Sequence, residues 1–231
     1  MTTTLITGAN KGLGFETARR LIEAGHTVYV GARDAHRGRE AAERLGARFV
    51  QLDVTDEDSV KAAAEFVRAD AGGLDVLVNN AGIVGARKSV GETTGADMVT
   101  TYDTNVFGVV RVTHAFLPLL EESSAPVVVN VGSGLGSLAA TSDPNRVEFH
   151  VTALDYNSSK TALVMVTAQY AKTFPAVRFN TVDPGYTATD LNGHTGTQTI
   201  EEGAEIIVRM ASIGVGGPTG GFFDKAGPVV W

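Results

Sequence analysis

The chain has 231 residues, 43% hydrophobic and 19% charged, which is the make-up of a globular domain with a substantial core and not of a disordered segment. Its net charge of −7, with no run of Lys or Arg longer than two, disfavours nucleic acid and anionic membrane surfaces as partners. The lack of cysteine excludes disulfides, thiolate nucleophiles and Cys-ligated metals, and no apolar run reaches membrane-spanning length.

Met1-Thr2-Thr3-Thr4 leads directly into a first strand, Thr3 to Thr7, with no signal peptide ahead of it, so a cytoplasmic enzyme is the expectation. Gly8-Ala9-Asn10-Lys11-Gly12-Leu13-Gly14 separates that strand from a helical pattern over Phe15 to Ala24. In a strand–glycine loop–helix unit the glycines let the main chain turn sharply and lie against a pyrophosphate. The helix N-terminus then presents free N–H groups to it. Three glycines can also make a plain turn; the flanking strand and helix favour the binding reading. His26 to Gly31 is predicted as a second strand and Ala35 to Leu45 as a helix containing Arg37 and Arg39. The end of the second strand in such a fold meets the adenosine ribose, where an acid suits NAD and an arginine the 2′-phosphate of NADP. Gly31-Ala32-Arg33 carries no acid ahead of the arginine, although Asp34 follows it, and Lys11 offers a second cation. The pattern favours NADP.

Arg48 to Leu52 is a third strand, followed by Asp53-Val54 and a helix to about Ala69, with Thr55 expected as its N-cap and Asp58 three residues on. Leu74 to Val78 is a fourth strand, apolar enough to be covered on both faces, ending in Asn79-Asn80-Ala81-Gly82. A helix over about Ala96 to Leu120 contains Asn105; a lone Asn inside a helix more often makes a local hydrogen bond than a catalytic one. Val127 to Val131 is a fifth strand followed by Gly132-Ser133-Gly134, where Ser133 is either a turn residue or, at the carboxyl end of a parallel strand, on the ligand side. Next comes Tyr156-Asn157-Ser158-Ser159-Lys160, opening a helix that stops near Phe174-Pro175. Residues four apart share a helix face, so phenol and ammonium can point into one site. A phenol titrates near pH 10, and a neighbouring cation lowers that value toward a useful acid/base. By itself the spacing also fits two surface neighbours. Val177 to Val182 is a sixth strand leading to Asp183-Pro184-Gly185 and Thr187-Ala188-Thr189; Ile200 to Ser212 reads as a helix and Gly220 to Phe223 as the start of a last strand. The alternation predicts one α/β domain over residues 1–231, a Rossmann-type doubly wound parallel sheet with helices on both faces.

Five elements in this order, Thr7-Gly8-x-x-x-Gly12-x-Gly14, Asn79-Asn80-Ala81-Gly82, Asn105, Ser133 and Tyr156-x-x-x-Lys160, make the whole chain resemble the short-chain dehydrogenase/reductase family. Gly31-Ala32-Arg33-Asp34, Gly72 to Gly82, Glu201-Glu202-Gly203-Ala204 and the ending in Trp231 resemble its NADPH-dependent carbonyl reductase branch. The resemblance implies reduction of a ketone or aldehyde to an alcohol, reversibly. Tyr156 would be the general acid and Ser133 a hydrogen-bond donor to the substrate oxygen. Lys160 would lower the Tyr156 pKa and bind the nicotinamide ribose, and Asn105 would hold a water that relays protons to Lys160. It also implies an NADP(H) site. Gly8, Asn10, Lys11, Gly12, Leu13 and Gly14 would lie along the pyrophosphate and adenosine, with Asp53 and Val54 beside the adenine. Asn79, Ala81 and Gly82 would pack near the ribose, and Pro184, Gly185, Thr187 and Thr189 would hold the nicotinamide. A catalytically silent NADP-binding scaffold of the same fold is the alternative; the presence of all four acid/base-type residues speaks against it.

Ser133 and Tyr156 are separated by 22 residues, more than in the family's common form and fewer than in its monomeric carbonyl reductases, so monomer and homo-oligomer both stay open. Asp190 to Thr199 is polar, with little apolar material for a lid, which implies an open site and a poorly defined or bulky substrate. Val84, Leu135, Leu138, His150 and Tyr186 are pocket candidates. The five histidines show no metal-ligand spacing, so no metal is expected.

Overall fold

The computed structural model describes residues 1–231. Strands and helices alternate: β1 (Thr3–Thr7), α1 (Gly12–Glu23), β2 (Thr27–Ala32), α2 (Ala35–Leu45), β3 (Arg48–Gln51), α3 (Glu57–Ala71), β4 (Val76–Asn79), α4 (Gly95–Tyr102), α5 (Gly108–Glu121) and β5 (Val127–Val131). The second half adds α6 (Leu138–Ser142), α7 (Leu154–Thr173), β6 (Arg178–Val182), α8 (Ile200–Ala211), β7 (Phe222–Asp224) and β8 (Gly227–Pro228). They form one sheet in the order β3-β2-β1-β4-β5-β6-β7-β8. Every pairing is parallel except the β7–β8 hairpin at the edge, a return strand that sequence patterning missed.

Strand side chains alternate between faces. Leu5, Leu77, Val128 and Phe179 point to one side, where they pack with α3 and α5 through Val60, Val67, Val112 and Phe116. Ile6, Val78 and Val129 point to the other, where Leu21 of α1, Ala41 of α2 and Ile206 of α8 close a second core. The sheet is therefore covered on both faces, as the apolar strands require. The strand order reverses between β1 and β4. In open parallel sheets that switch point leaves a crevice at the carboxyl ends, where ligands bind.

Two local expectations change. The N-cap of α3 is Asp56, whose carboxylate accepts from the N–H groups of Asp58 and Ser59 at 2.9 and 3.1 Å. Thr55 instead turns its hydroxyl back to Asp53 at 2.8 Å. Asp56→Ala is expected to cost about 1 kcal/mol in urea denaturation, and Thr55→Ala less than half of that. The long helix over Ala96–Leu120 is also not regular. Between α4 and α5, residues Asp103–Phe107 form a π-turn, in which the Gly108 N–H reaches back five residues to the Asp103 carbonyl. Such widened turns recur at functional sites, and this one carries Asn105.

Candidate active site

The crevice at the switch point is floored by the β1–α1 loop. Ala81 and the Cα of Gly8 are so close that a Cβ on Gly8 would sit 3.1 Å from the Ala81 Cα. Gly14 is packed harder: its Cβ would fall 2.5 Å from Asn80 Nδ2 and 2.8 Å from the Gly8 carbonyl. Asn80 fastens this loop by donating to the Thr7 and Gly8 carbonyls at 2.9 and 3.2 Å. The N-terminus of α1 at Gly12-Leu13-Gly14 has no side-chain cap and no acidic residue in its first turn, so its N–H groups and positive dipole end are offered to the crevice. Above it, Thr189 Cγ2 lies 3.9 Å from the Cβ position of Gly12.

Between the glycine loop and α2 a cavity of about 320 Å³ is lined by Asn10, Lys11, Arg37, Glu40, Ala41, Arg44 and Asp190. Arg33 is exposed just past the end of β2 and is not among the lining residues; the arginines that line this cavity with Lys11 are Arg37 and Arg44 of α2. Asp34 is the N-cap of α2, accepting from the Arg37 N–H at 3.0 Å, so its carboxylate is engaged within the helix start. An uncapped helix end with three cations nearby and an acid withdrawn into a cap is a donor set that fits a phosphorylated dinucleotide. Lys11 is itself paired with Asp190 at 2.7 Å, and Asp190 also meets His194 Nε2 at 2.8 Å.

The N-terminal half of α7 buries a polar stripe, Asp155, Ser159 and Lys160, before turning apolar at Leu163 and Val164. Asp155 accepts from the Ala86 N–H, the Thr101 hydroxyl and the Tyr156 N–H at 2.9, 2.8 and 2.9 Å. Burial opposes its charge, but these donors outweigh it and hold the carboxyl below its ordinary range. Sequence reading missed Asp155, which ties the loop after β4 to the start of α7. Lys160 is 6% exposed and donates to the Val131 carbonyl at 2.9 Å. Its ammonium is 5.6 Å from the centre of the half-buried Tyr156 ring. A Cβ on Gly82 would lie 3.4 Å from Asn105 Oδ1 and 3.7 Å from Lys160 Nζ, so these groups converge there. Asn105 is pinned by both main-chain groups of Ile83 at 2.9 Å and donates to Ser159 Oγ at 3.1 Å. The Ser133 hydroxyl lies beside the Tyr156 phenol.

Electrostatically the pair departs from expectation. Burial pushes the Tyr156 phenol up to about 12, with Ser133 working to lower it and the charge of Asp183 raising it further. Burial also pushes the Lys160 ammonium down to about 8, against the raising influence of Asp183. Desolvation is the largest influence on both groups.

The remaining candidates divide. Asn79 is 3% exposed and spends its amide on Asn130 and Thr113 at 2.9 and 3.2 Å, so its side chain faces the helix layer and not the crevice. Asp53 closes a turn onto Thr55, and Val54 lies 2.9 Å from the Cβ position of Gly108, under α5. Thr187 is buried, donating to the Pro184 carbonyl at 3.1 Å and accepting from Gln198 at 2.8 Å, and Gly185 is left-handed at φ 72°; together they set the loop after β6. Leu138 and Tyr186 are well exposed and His150 stands edge-on to Phe149, on the loops after β5 and β6; Leu135 and Val84 are half-buried.

The family model for short chain dehydrogenases matches residues 2–199. (+)-Neomenthol dehydrogenase of Capsicum annuum is 31% identical over 96% of this chain and 95% of its own. That alignment spans 299 positions against the 231 residues here, so at least 68 positions have no counterpart in this chain. Among solved structures, salutaridine reductase from Papaver somniferum superposes with a TM-score of 0.86 at 30% identity, covering 97% of this chain and 100% of that one. NADPH-bound carbonyl reductase from chicken fatty liver superposes with 0.88 at 26% identity, covering 100% and 99%. No helix is long and apolar enough to cross a membrane.

Proposed function

The chain belongs to the short-chain dehydrogenase/reductase family of NAD(P)-dependent oxidoreductases that act on carbonyl or alcohol substrates, and on that premise we propose that it is an NADPH-dependent carbonyl reductase, reversible as an alcohol dehydrogenase. The observation that carries the reading is a connected set: Asn105 and Lys160 meet beside Gly82, the Tyr156 ring lies 5.6 Å from the Lys160 ammonium, and Ser133 adjoins the Tyr156 phenol, in a chain that also offers an uncapped helix N-terminus. NADPH, when bound, supplies the hydride. Tyr156 gives its proton to the carbonyl oxygen as negative charge develops there. An alkoxide is far more basic than a phenolate, so a phenol held at about 12 still delivers the proton downhill. Ser133 donates to the same oxygen, orienting it and stabilising its charge. The Lys160 ammonium stabilises the phenolate left behind, and Asn105, fixed in the π-turn, is placed to hold a water on the proton's return path. Alcohol oxidation, which needs the phenolate, is expected to climb with pH while reduction runs at neutral pH.

A bulky, apolar ketone is the substrate class we infer, from exposed Leu138, Phe149 and Tyr186 on the segments that follow β5 and β6 and from the menthol- and salutaridine-type relatives. Arg37 and Lys11 support NADPH over NADH. The test is loss of reduced-nicotinamide absorbance against a panel of ketones, aldehydes and quinones. Oxidation of NADPH well above NADH with any carbonyl supports the proposal; turnover with neither, despite measurable binding, returns the scaffold reading. Arg37→Ala is expected to raise the KM for NADPH about tenfold, the effect of one lost charge-assisted hydrogen bond, with the KM for NADH unchanged. An equal rise for both cofactors would remove Arg37 from the 2′-phosphate.

A further inference from the structure

We propose that Asp155 is a positioning residue for the reaction: its carboxylate closes a ring of hydrogen bonds that holds the Tyr156 main chain and the loop after β4 in one arrangement around Lys160. The inference rests on the reading of Tyr156 and Lys160 as reacting groups. The loop depends on outside support. From Ala81 to Lys88 it is neither helix nor strand, and none of its main-chain groups bonds another main-chain group. Side chains take their place. The Thr7 hydroxyl accepts from the Ala81 N–H at 3.0 Å, Asn105 takes both main-chain groups of Ile83 at 2.9 Å, and Asp155 Oδ2 accepts from the Ala86 N–H at 2.9 Å. Gly82, whose Cβ position lies close to both Asn105 Oδ1 and Lys160 Nζ, falls inside this span.

The ring closes through α7. Asn105 Nδ2 donates to Ser159 Oγ at 3.1 Å, Ser159 Oγ donates to the Tyr156 carbonyl at 2.7 Å, and the Tyr156 N–H donates to Asp155 Oδ1 at 2.9 Å. Both main-chain groups of Tyr156 are therefore held, one by Asp155 and the other by Ser159. Thr101 of α4 donates to Asp155 Oδ2 at 2.8 Å, which ties the ring to the helix that leads into the π-turn of Asn105. Asp155, Thr101, Asn105 and Ser159 are all buried, so bulk water does not compete for these bonds. The loop is seated directly on the carboxylate. Gly85 is left-handed at φ 86°, and a Cβ there would overlap Asp155 Oδ2 and the Thr101 hydroxyl oxygen. The ring also needs a group that only accepts, because donors face both oxygens of Asp155. An asparagine there has to turn its NH₂ against either the Ala86 N–H or the Tyr156 N–H.

Asp155→Asn therefore opens the ring at one joint while keeping its size. Amide hydrogen exchange in the cofactor-free protein is expected to quicken about tenfold or more at Ala86 and also at Ile83, which Asp155 does not touch; the loss of one hydrogen bond to a charged group sets that scale. In ketone reduction kcat is expected to fall about 10- to 100-fold, with the ketone KM and the NADPH dissociation constant within about threefold, because the binding groups remain and their alignment is lost. Thr101→Val, which removes a donor from Oδ2 and keeps the volume, is the milder variant, expected to move kcat and Ile83 exchange the same way by less. Asp97→Ala is the control for stability alone. It breaks the capping box of α4 and the 2.9 Å pair with Lys88, at the far end of the same loop, and is expected to lower the urea midpoint while kcat and Ile83 exchange hold. Unchanged Ile83 exchange in Asp155→Asn, an unchanged kcat in that variant, or an equal loss of kcat in Asp97→Ala overturns the proposal. A wild-type protein that turns over no carbonyl overturns the carbonyl reductase reading instead, and Ile83 exchange, read without cofactor or substrate, still decides the ring.

Discussion

Tyr156→Phe is expected to lower kcat/KM for ketone reduction by about 10³-fold, within the range typical for loss of a positioned general acid, while the NADPH dissociation constant stays within about twofold of wild type. The substitution removes one oxygen and leaves the ring, so the contact between ring and Lys160 ammonium survives. The start of α7 is held through the Tyr156 N–H on Asp155, a main-chain contact that phenylalanine keeps. The glycine loop and the cavity around Lys11 and Arg37 are built by other elements and are untouched. Ser133 and Lys160 remain to polarise the carbonyl, so residual turnover is expected, with the proton coming from water. Stopped-flow absorbance gives the rate and fluorescence titration gives the binding. A parallel loss of both would place Tyr156 in the cofactor's binding surface and not at the reacting oxygen.

What was legible in the sequence is what depends on neighbours along the chain. The glycine loop, the Tyr156–Lys160 spacing and the strand-helix alternation are local patterns, and the structure places them as read. The exceptions are instructive. Asn105 was marked by the family resemblance and not by its neighbours, which show only an Asn in a helix; the π-turn that pins it to Ile83 depends on one hydrogen bond slipping by a residue, which no periodicity announces. Asn79 was placed near the ribose, yet strand alternation puts it on the face of Leu77, toward α5 and α7, and leaves Asn80 to hold the glycine loop. That one was readable from parity. Arg33 was read from its place directly after the strand; that Asp34 caps α2 and that Arg37 and Arg44 line a cavity with Lys11 depends on how the helix packs. Asp155 draws its meaning from contacts between distant segments, so its chemistry had no signature in spacing.

Gly136→Ala is expected to cost about 1–3 kcal/mol of stability, the usual range for overpacking, and to lower kcat/KM about 10²-fold. Gly136 ends the short turn Gly134–Gly136 that carries Ser133 into the site. A Cβ there would lie 2.7 Å from the carbonyl carbon of Lys160, 2.8 Å from its oxygen and 3.0 Å from its Cβ. These are atoms of the α7 backbone and its first side-chain carbon, which cannot swing aside as a side-chain tip can. Either the turn lifts from the helix or the helix tilts from the sheet. The turn moves as a unit, because the Gly136 N–H bonds the Ser133 carbonyl at 2.8 Å and the Leu135 N–H bonds Ser133 Oγ at 3.3 Å. Its far end is fixed too: Ser137 caps α6 and donates to the Val230 carbonyl at 2.5 Å, so the strain cannot relax that way. The displacement therefore falls between Ser133 and the Tyr156–Lys160 helix, where a shift of about 1 Å is enough to cost two orders of magnitude in rate. Gly73→Ala, at a site with nothing within 4 Å of the added carbon, serves as control and is expected within about 0.5 kcal/mol of wild type with normal turnover. Urea denaturation and steady-state kinetics on both variants separate the outcomes. Lost stability with unchanged kcat/KM would show that Ser133 is not coupled to the helix through this contact, and an unaffected protein would show that the turn has room the packing denies.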